Sequence, residues 1–249
     1  MVLPDHLALL LATFLLAGLV KGVTGLGLPT IGVGLLSLVM SPAQAGALIL
    51  VPAFVTNIWQ ILAGPSIRLL MRRLWPMQLC VCLGVAAGAH WFAGFSAEAA
   101  SVGLGGALLI YAAVGLSPMK LPQVPARSEP WAGPLAGLAT GLVTSLTGVF
   151  VIPAVPYLQA LGLNREDLVQ ALGISFTVST VALAVALWLT GHFSLAVAGD
   201  SLFALAPALL GMGAGQIIRR KVSPVIFRRC FFLGVLALGA HLALRGWVF

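Results

Sequence analysis

The sequence predicts an all-α, polytopic membrane protein built from two inverted repeats, each an interrupted (half-helix) segment plus three transmembrane helices. Its 249 residues are 60% hydrophobic and only 8% charged, and their mean hydropathy is +1.10. A soluble domain of this length cannot bury so much apolar surface. The apolar stretches are about 20 residues long with charges between them, which indicates membrane-spanning helices rather than the alternating segments of about 10 residues found in a β-barrel.

An internal repeat is the third observation behind this fold class. The stretch GLVKGVTG, which begins at Gly18, recurs as GLVTSLTG at Gly141, 123 residues further along the chain. The same register continues without a gap as far as the pair formed by Asn57 and Thr180. Two copies of one structural plan therefore account for most of the chain.

The first apolar stretch, residues 6–40, is too long for one straight span, and Lys21, several glycines and Pro29 interrupt it. Its two pieces, residues 6–20 and 26–40, would each reach only about 22 Å as helices, short of a hydrocarbon core of roughly 30 Å. They form either two half-helices that meet inside the membrane or a hairpin of two minimal spans. Irregular backbone at that depth is tolerated only where protein buries it or where it lines a polar cavity.

Three predicted spans follow the interrupted segment in each half, and a proline-rich loop separates the halves. We assign residues 1–117 to the first membrane repeat, 118–130 to a linker and 131–249 to the second membrane repeat. The second interrupted segment, residues 131–163, breaks at residues 144–148 and again at two prolines. The predicted spans are residues 43–67, 75–95 and 98–117 in the first half, and 167–190, 201–218 and 225–244 in the second.

The distribution of basic residues predicts the orientation. Ten of the thirteen Lys and Arg residues lie in three connections, and the excess of positive charge in cytoplasmic loops places all three, including the linker, in the cytoplasm. Span 43–67 then runs inward and its repeat partner 167–190 runs outward, so that the halves are inverted. This arrangement is typical of secondary transporters. The ten residues are Arg68, Arg72, Arg73, Lys120, Arg127, Arg219, Arg220, Lys221, Arg228 and Arg229.

The interrupted segments have the chemistry of an anion site. A helix that begins inside the membrane offers unpaired N–H groups and the positive end of its dipole, glycines allow close approach, and Ser and Thr hydroxyls add donors. If the halves face one another, both segments meet near the midplane. The alternative is that these small residues only line helix contacts. The candidate substrate-binding residues are Lys21, Gly22, Thr24, Gly25, Gly27, Asn57, Thr144, Ser145, Thr147, Gly148 and Ser179.

Lys21 is the only Lys or Arg predicted to lie away from the end of a span. A cation near the bilayer centre costs about 2.5–3.5 kcal/mol on insertion scales, so it needs a partner or a water-filled site. No acidic residue within the spans offers a counter-ion, which makes an anionic substrate a candidate partner. The alternative is a shallower segment from which Lys21 reaches an interface.

With both G-x-V-x-G/S-x-T-G stretches identified, the chain resembles the TauE/SafE sulfite exporter permeases, also called the 4-toluene sulfonate uptake permeases. The resemblance covers nearly the whole chain and implies a multi-pass transporter in the bacterial inner membrane for small sulfur-containing anions such as sulfite or organosulfonates. The chain departs from the family's denser glycine run, since leucines flank Gly27 and Val149, Phe150 and Val151 follow Gly148.

We therefore expect a secondary transporter that works by alternating access, with a small anion and the lipid bilayer as partners. An anion channel that uses the same helix ends is the alternative. The sequence contains no Walker A motif, H-E-x-x-H motif or carboxylate pair, so we predict no enzymatic activity and no cofactor or metal. We expect no nucleic-acid partner, because the basic residues lie at helix ends. Homo-oligomerisation is left open.

Overall fold

The computed structural model describes residues 3–117, 122–219 and 221–248, and this part of the chain is helical with no strand. Seven of its helical segments are long and apolar enough to cross a membrane, which confirms the predicted class. Lys120 and Arg220 lie outside the described residues. The helices are α1 (Leu3–Thr24), α2 (Leu28–Leu36), α3 (Pro42–Leu62), α4 (Ile67–Trp91), α5 (Ala97–Leu116), α6 (Glu129–Thr147), α7 (Ala154–Ala160), α8 (Arg165–Leu189), α9 (Leu195–Phe203), α10 (Leu205–Ile218) and α11 (Pro224–Val248).

Each interrupted segment consists of a long helix and a short one, and not of two equal halves. In the first repeat α1 has 22 residues and α2 only 9, and in the second α6 has 19 and α7 only 7. The expectation of two pieces near 6–20 and 26–40 is therefore wrong. Gly18 and Gly22 lie inside α1, which continues through both. The backbone of α10 packs against these two glycines and leaves no room for a Cβ.

Three helix pairs, α1–α10, α4–α6 and α5–α11, are packed backbone against backbone through glycines. In the pair α1–α10, a Cβ on Gly18 would lie 2.1 Å from the carbonyl oxygen of Ala208. In the pair α4–α6, a Cβ on Gly84 would lie 2.3 Å from the carbonyl oxygen of Leu138. Small residues spaced four apart allow this approach, and within lipid the resulting van der Waals contact is a main source of helix association.

Helices α3 and α8 lie side by side and run antiparallel. Gly46, near the start of α3, faces Leu183 on the second half of α8, whereas Gly64, just beyond the end of α3, contacts Gln170 near the start of α8. The side chains of Asn57 and Thr180 meet between these two points, with the Asn57 amide donating to the hydroxyl at 3.4 Å.

The Ser201 side chain forms hydrogen bonds with the backbone of α3 near Pro52, which interrupts the helical hydrogen bonding. Proline has no N–H, so the carbonyl of Leu48, four residues earlier, has no partner within the helix. The Ser201 hydroxyl donates to that carbonyl at 2.7 Å and accepts from the N–H of Val51 at 3.1 Å. This contact fixes α9 against the middle of α3, and Ser201 is fully buried.

The first turns of α4, α6 and α8 meet on one side of the molecule. Arg73 and Glu129 form a two-pronged ion pair, with N–O distances of 2.8 and 2.6 Å, and the N–H of Ser66 donates to Gln170 at 2.7 Å. We call this side the basic face; it carries Arg68, Arg72, Arg73, Arg165, Arg219 and Arg228. The predicted grouping of the first and third basic connections on one side agrees with these contacts.

The packing predicts that two alanine substitutions on α10 differ sharply in their effect on the stability of the fold. A Cβ on Gly211 would lie 2.1 Å from the carbonyl oxygen of Leu15, whereas a Cβ on Gly213 meets nothing within 4 Å. We expect Gly211→Ala to destabilise the fold by about 1–3 kcal/mol, the usual range for overpacking. Gly213→Ala, the matched control, removes a flexible glycine from a helix and should leave the melting temperature in detergent unchanged or raised. Equal melting temperatures for the two variants would contradict the described α1–α10 contact.

Candidate functional site

Lys21 lies in the protein interior, with only 3% of its surface exposed. Its Nζ donates to the Thr56 hydroxyl at 2.9 Å and to the Asn57 side-chain oxygen. Both partners are neutral, and the Arg73–Glu129 pair is the ion pair found in the described part of the chain. The lysine is therefore buried without a carboxylate counter-ion, and it does not reach an interface.

Both acceptors are held in place by α3 and α8. The Thr56 hydroxyl donates to the carbonyl of Pro52 at 2.6 Å, so toward Lys21 it acts as an acceptor. The amide nitrogen of Asn57 donates to the Thr180 hydroxyl, which leaves the oxygen of the same amide facing Lys21. Thr56 and Asn57 are adjacent on a helix that packs against α8, which brings both to the same amine.

The threonines of the two repeated motifs close their helices in the same way. The Thr24 hydroxyl donates to the carbonyl of Val20 at 2.9 Å and accepts from the N–H of Leu26 at 3.0 Å. The Thr147 hydroxyl likewise donates to the carbonyl four residues earlier at 2.7 Å and accepts from an N–H two residues later at 3.1 Å. These hydroxyls terminate the helices and are already engaged locally.

The glycine after each threonine adopts the left-handed conformation that ends a helix. Gly25 has φ 79° and Gly148 has φ 71°, and each donates its N–H to the carbonyl four residues earlier, at 2.7 and 2.8 Å. Residues with a Cβ rarely adopt this conformation, which explains why the motif needs glycine at this position. Gly27, at φ 104°, precedes α2.

The two breaks do not meet, and the expectation that they do is wrong. The carbonyl of Gly25 accepts from Gln60, near the end of α3, at 2.8 Å. A Cβ on Gly148 would instead lie 3.5 Å from Gly46, near the start of α3. Fourteen residues separate Gly46 from Gln60, which corresponds to roughly 21 Å of helix at about 1.5 Å per residue. The two breaks therefore lie at opposite ends of α3.

The remaining predicted site residues have structural contacts. A Cβ on Gly22 would lie 2.2 Å from the carbonyl oxygen of Met212, and Ser145 faces Gly88 across the α4–α6 interface. For Gly22 and Ser145 the structure supports the helix-contact alternative. Thr144 is buried and donates to its own helix. Ser179 is buried with no hydrogen-bond partner for its hydroxyl.

A cavity of about 1170 Å³ extends from the basic face to the first break. Val23, Thr24 and Leu26 contribute to its wall, and Val23 and Thr24 lie within one helical turn of Lys21. Aromatic and aliphatic side chains from α5, α8 and α11 form much of its wall, including Tyr111 and Phe231. Of the predicted site residues, Thr24 lines this cavity.

Among the described residues, three arginines and no acidic side chain line the cavity: Arg165, Arg219 and Arg228. Partial burial, together with the neighbouring Arg165, lowers the pKa of the Arg219 guanidinium. Like charges facing one cavity raise the positive potential inside it, which concentrates anions. Sequence reasoning missed Arg165 because a single arginine at the start of a helix gives no signal until the fold brings Arg219 beside it.

Gln170 is the other residue that the sequence did not identify. It is fully buried, and its amide group contacts three backbone groups around the α3–α4 turn, at Ile61, Gly64 and Ser66. The side chain holds the end of α3 against the start of α8. Its role is structural, and a glutamine among apolar residues of a predicted span was the available signal.

By comparison with known proteins, residues 10–242 match the family described as Sulfite exporter TauE/SafE. The match covers nearly the whole chain. No curated protein and no solved structure matches it.

The cavity predicts a difference in the accessibility of two buried segments. Val169 lines the cavity, whereas Val149, beside the second break, has no exposed surface. After replacement of Cys80, Cys82 and Cys230 by alanine, we expect Val169→Cys to react with a membrane-impermeant thiol reagent added to the basic face. Val149→Cys, the matched control, should not react from that face. Labelling of both positions at the same rate would contradict the described cavity.

Proposed function

Because the chain belongs to the TauE/SafE sulfite exporter family, we propose that it moves small sulfur-containing anions, such as sulfite or organosulfonates, across the bacterial inner membrane by alternating access. The family is one of membrane transporters, and the seven apolar helices make the chain a multi-pass membrane protein. The choice of anion and the transport cycle are our proposal. The single observation that carries it is the buried amine of Lys21.

Lys21 supports anion binding because its ammonium form has no charged partner in the described structure. A buried charge that is hydrogen-bonded but unpaired is destabilising, and an anion placed beside it removes much of that penalty. Thr56 and Asn57 orient the amine but cannot neutralise it. Two elements of the predicted site, Lys21 and Asn57, thus form its centre in this proposal.

The cavity supports an access route from the basic face. Its three arginines would attract anions, and Thr24, which lines it, lies within one turn of Lys21. In this proposal the basic face and the linker at residues 118–130 are cytoplasmic, as the excess of Lys and Arg predicts. An anion would pass the arginines before it reaches the lysine.

The apolar packing at the end of α3 farther from the basic face favours a carrier over a channel. Val149, Phe150 and Val151 follow the second break and are at most 1% exposed, so the far end of α3 is packed with apolar side chains. A carrier is closed on one side at a time, whereas a conducting channel is open on both. Saturable counterflow in liposomes would support the carrier, and unsaturated conductance would support the channel.

We also propose that residues 1–117 and 131–249 are inverted repeats. The two breaks share one local structure, and α3 runs antiparallel to α8, its counterpart at a displacement of 123 residues. Asn57 and Thr180 are equivalent in that register, and they contact each other. Equivalent residues meet in this way beside a two-fold axis, which here would lie in the membrane plane.

Lys21→Gln is expected to weaken anion binding while the fold is retained. Glutamine can still donate to Thr56 or Asn57, but it carries no charge. Because hydrogen bonds to charged groups contribute about 1.5–3 kcal/mol, affinity should fall roughly tenfold or more. The measurement is binding of labelled sulfite, thiosulfate and 4-toluenesulfonate to purified protein, with melting temperature as the check on folding.

Lys221→Gln is the matched control, because it removes an exposed lysine beside the basic face. It should bind the same anion with wild-type affinity. Undiminished binding by Lys21→Gln would remove Lys21 from the site and would contradict the proposed function.

Asn57→Asp should inhibit transport for the opposite reason. The new carboxylate would occupy the position of the Asn57 oxygen that now accepts from Lys21, and it would pair with the amine as an internal counter-ion. We expect the melting temperature to be maintained while saturable anion uptake into liposomes is lost. Normal uptake by this variant would show that the anion does not need the free charge of Lys21.

A further inference from the structure

The surroundings of Lys21 provide hydrogen-bond acceptors for two of its protons. The Thr56 hydroxyl accepts one N–H, since its own proton is donated to the backbone at Pro52 and Ala53. The Asn57 oxygen accepts another. In the described part of the chain no third partner of the Lys21 amine is found, and Thr180 is engaged with Asn57 and with its own helix.

Two acceptors satisfy a neutral amine but not an ammonium group. A neutral amine has two N–H groups, and both are bonded here, whereas the ammonium form has three donors and a full charge. The third N–H and the charge would both be uncompensated in this buried position, which is strongly unfavourable. A bound anion supplies the missing acceptor and the missing charge together.

No neighbouring element supplies a carboxylate to this amine. Helices α2 and α3 contain no titratable residue, and α10 contains none before Arg219, which is basic. The nearest acids in sequence on α8 are Glu166 and Asp167 in its exposed first turn, where Asn164 donates to Asp167 at 2.7 Å.

The basic groups on the packed helices lie at exposed helix ends. On α11, which contacts α2 and the residue before it, Arg228 and Arg229 are exposed on the basic face. On α8, Arg165 is exposed beside the cavity. Each charged group that faces Lys21 from a packed helix is therefore basic or lies at the solvent-exposed end of its helix.

We infer that Lys21 binds a proton together with the anion, so that each anion is transported with one proton. This inference rests on the proposed function, and it identifies the proton as the ion whose movement is coupled to that of the anion. The proton comes from water and forms the third N–H bond on Nζ, and that N–H donates to the anion. On release the N–H bond breaks, and the proton and anion leave on the same side. A monovalent anion would then cross as a neutral pair.

Proton uptake on binding tests this inference directly. Purified wild-type protein in weak buffer is mixed with saturating 4-toluenesulfonate, the anion of a strong acid, which itself takes up no proton, and a pH-sensitive dye reports the change. We expect uptake of one proton per anion bound at alkaline pH. In liposomes, an inwardly directed proton gradient should drive accumulation of the anion without a membrane potential.

The variant Lys21→Arg keeps a positive charge at this position but cannot bind and release a proton. A guanidinium stays protonated, so this variant should bind the anion without proton uptake. In liposomes it should exchange labelled for unlabelled anion, but a proton gradient should no longer drive net accumulation. His192→Gln, the matched control, removes an exposed titratable group and should take up protons as the wild type does.

Three results would overturn the inference. Wild-type binding without a pH change, or proton uptake by Lys21→Arg equal to that of the wild type, would exclude Lys21 as the proton site and leave the proposed function intact. Failure of the wild type to bind 4-toluenesulfonate, sulfite or thiosulfate would overturn the proposed function and the coupling with it. If Lys21→Arg does not fold, the wild-type stoichiometry and the gradient experiment decide the question alone.

Discussion

The burial of the Lys21 amine without a charged partner is the constraint on which the rest of the site depends. An ammonium group with two neutral acceptors and 3% exposure is unfavourable in a protein interior unless something else balances its charge. The polar residues around it follow from that need, because Thr56 and Asn57 occupy its donors and Thr180 orients Asn57. A stability requirement alone would be met more simply by an apolar residue. In the proposed function, the anion supplies the missing compensation.

The helix that carries Lys21 is held rigidly on one side and ends on the other. Gly18 and Gly22 bring the backbone of α1 against that of α10, which fixes the position of the lysine along α1. One turn later the helix ends at Thr24, beside the cavity. Close packing through small residues thus fixes the position of the Lys21 side chain. Gly25, in the left-handed conformation, ends the helix four residues later. In the proposed function, the binding group and the access route therefore belong to the same short segment.

The two repeated motifs share a local structure but differ in their surroundings. Thr24 and Thr147 make equivalent hydrogen bonds, and Gly25 and Gly148 have nearly the same φ. The first break lies beside a cavity with three arginines, whereas apolar side chains cover the second. Where the first repeat has Lys21, the second has Thr144, which bonds to its own helix. Of the two equivalent positions, one turn before each break, the first therefore carries an ionisable side chain and the second does not.

The sequence alone determined the membrane class, the order of the spans, the recurrence of the glycine motif and the isolation of Lys21, because hydropathy, glycine spacing and charge are local properties of the chain. It could not determine that α1 continues through Gly18 and Gly22, that the two breaks lie at opposite ends of α3, or that Arg165 and Arg219 share a cavity. Those features depend on which helix packs against which. A glycine breaks a helix or tightens a contact according to the neighbour that tertiary packing places beside it.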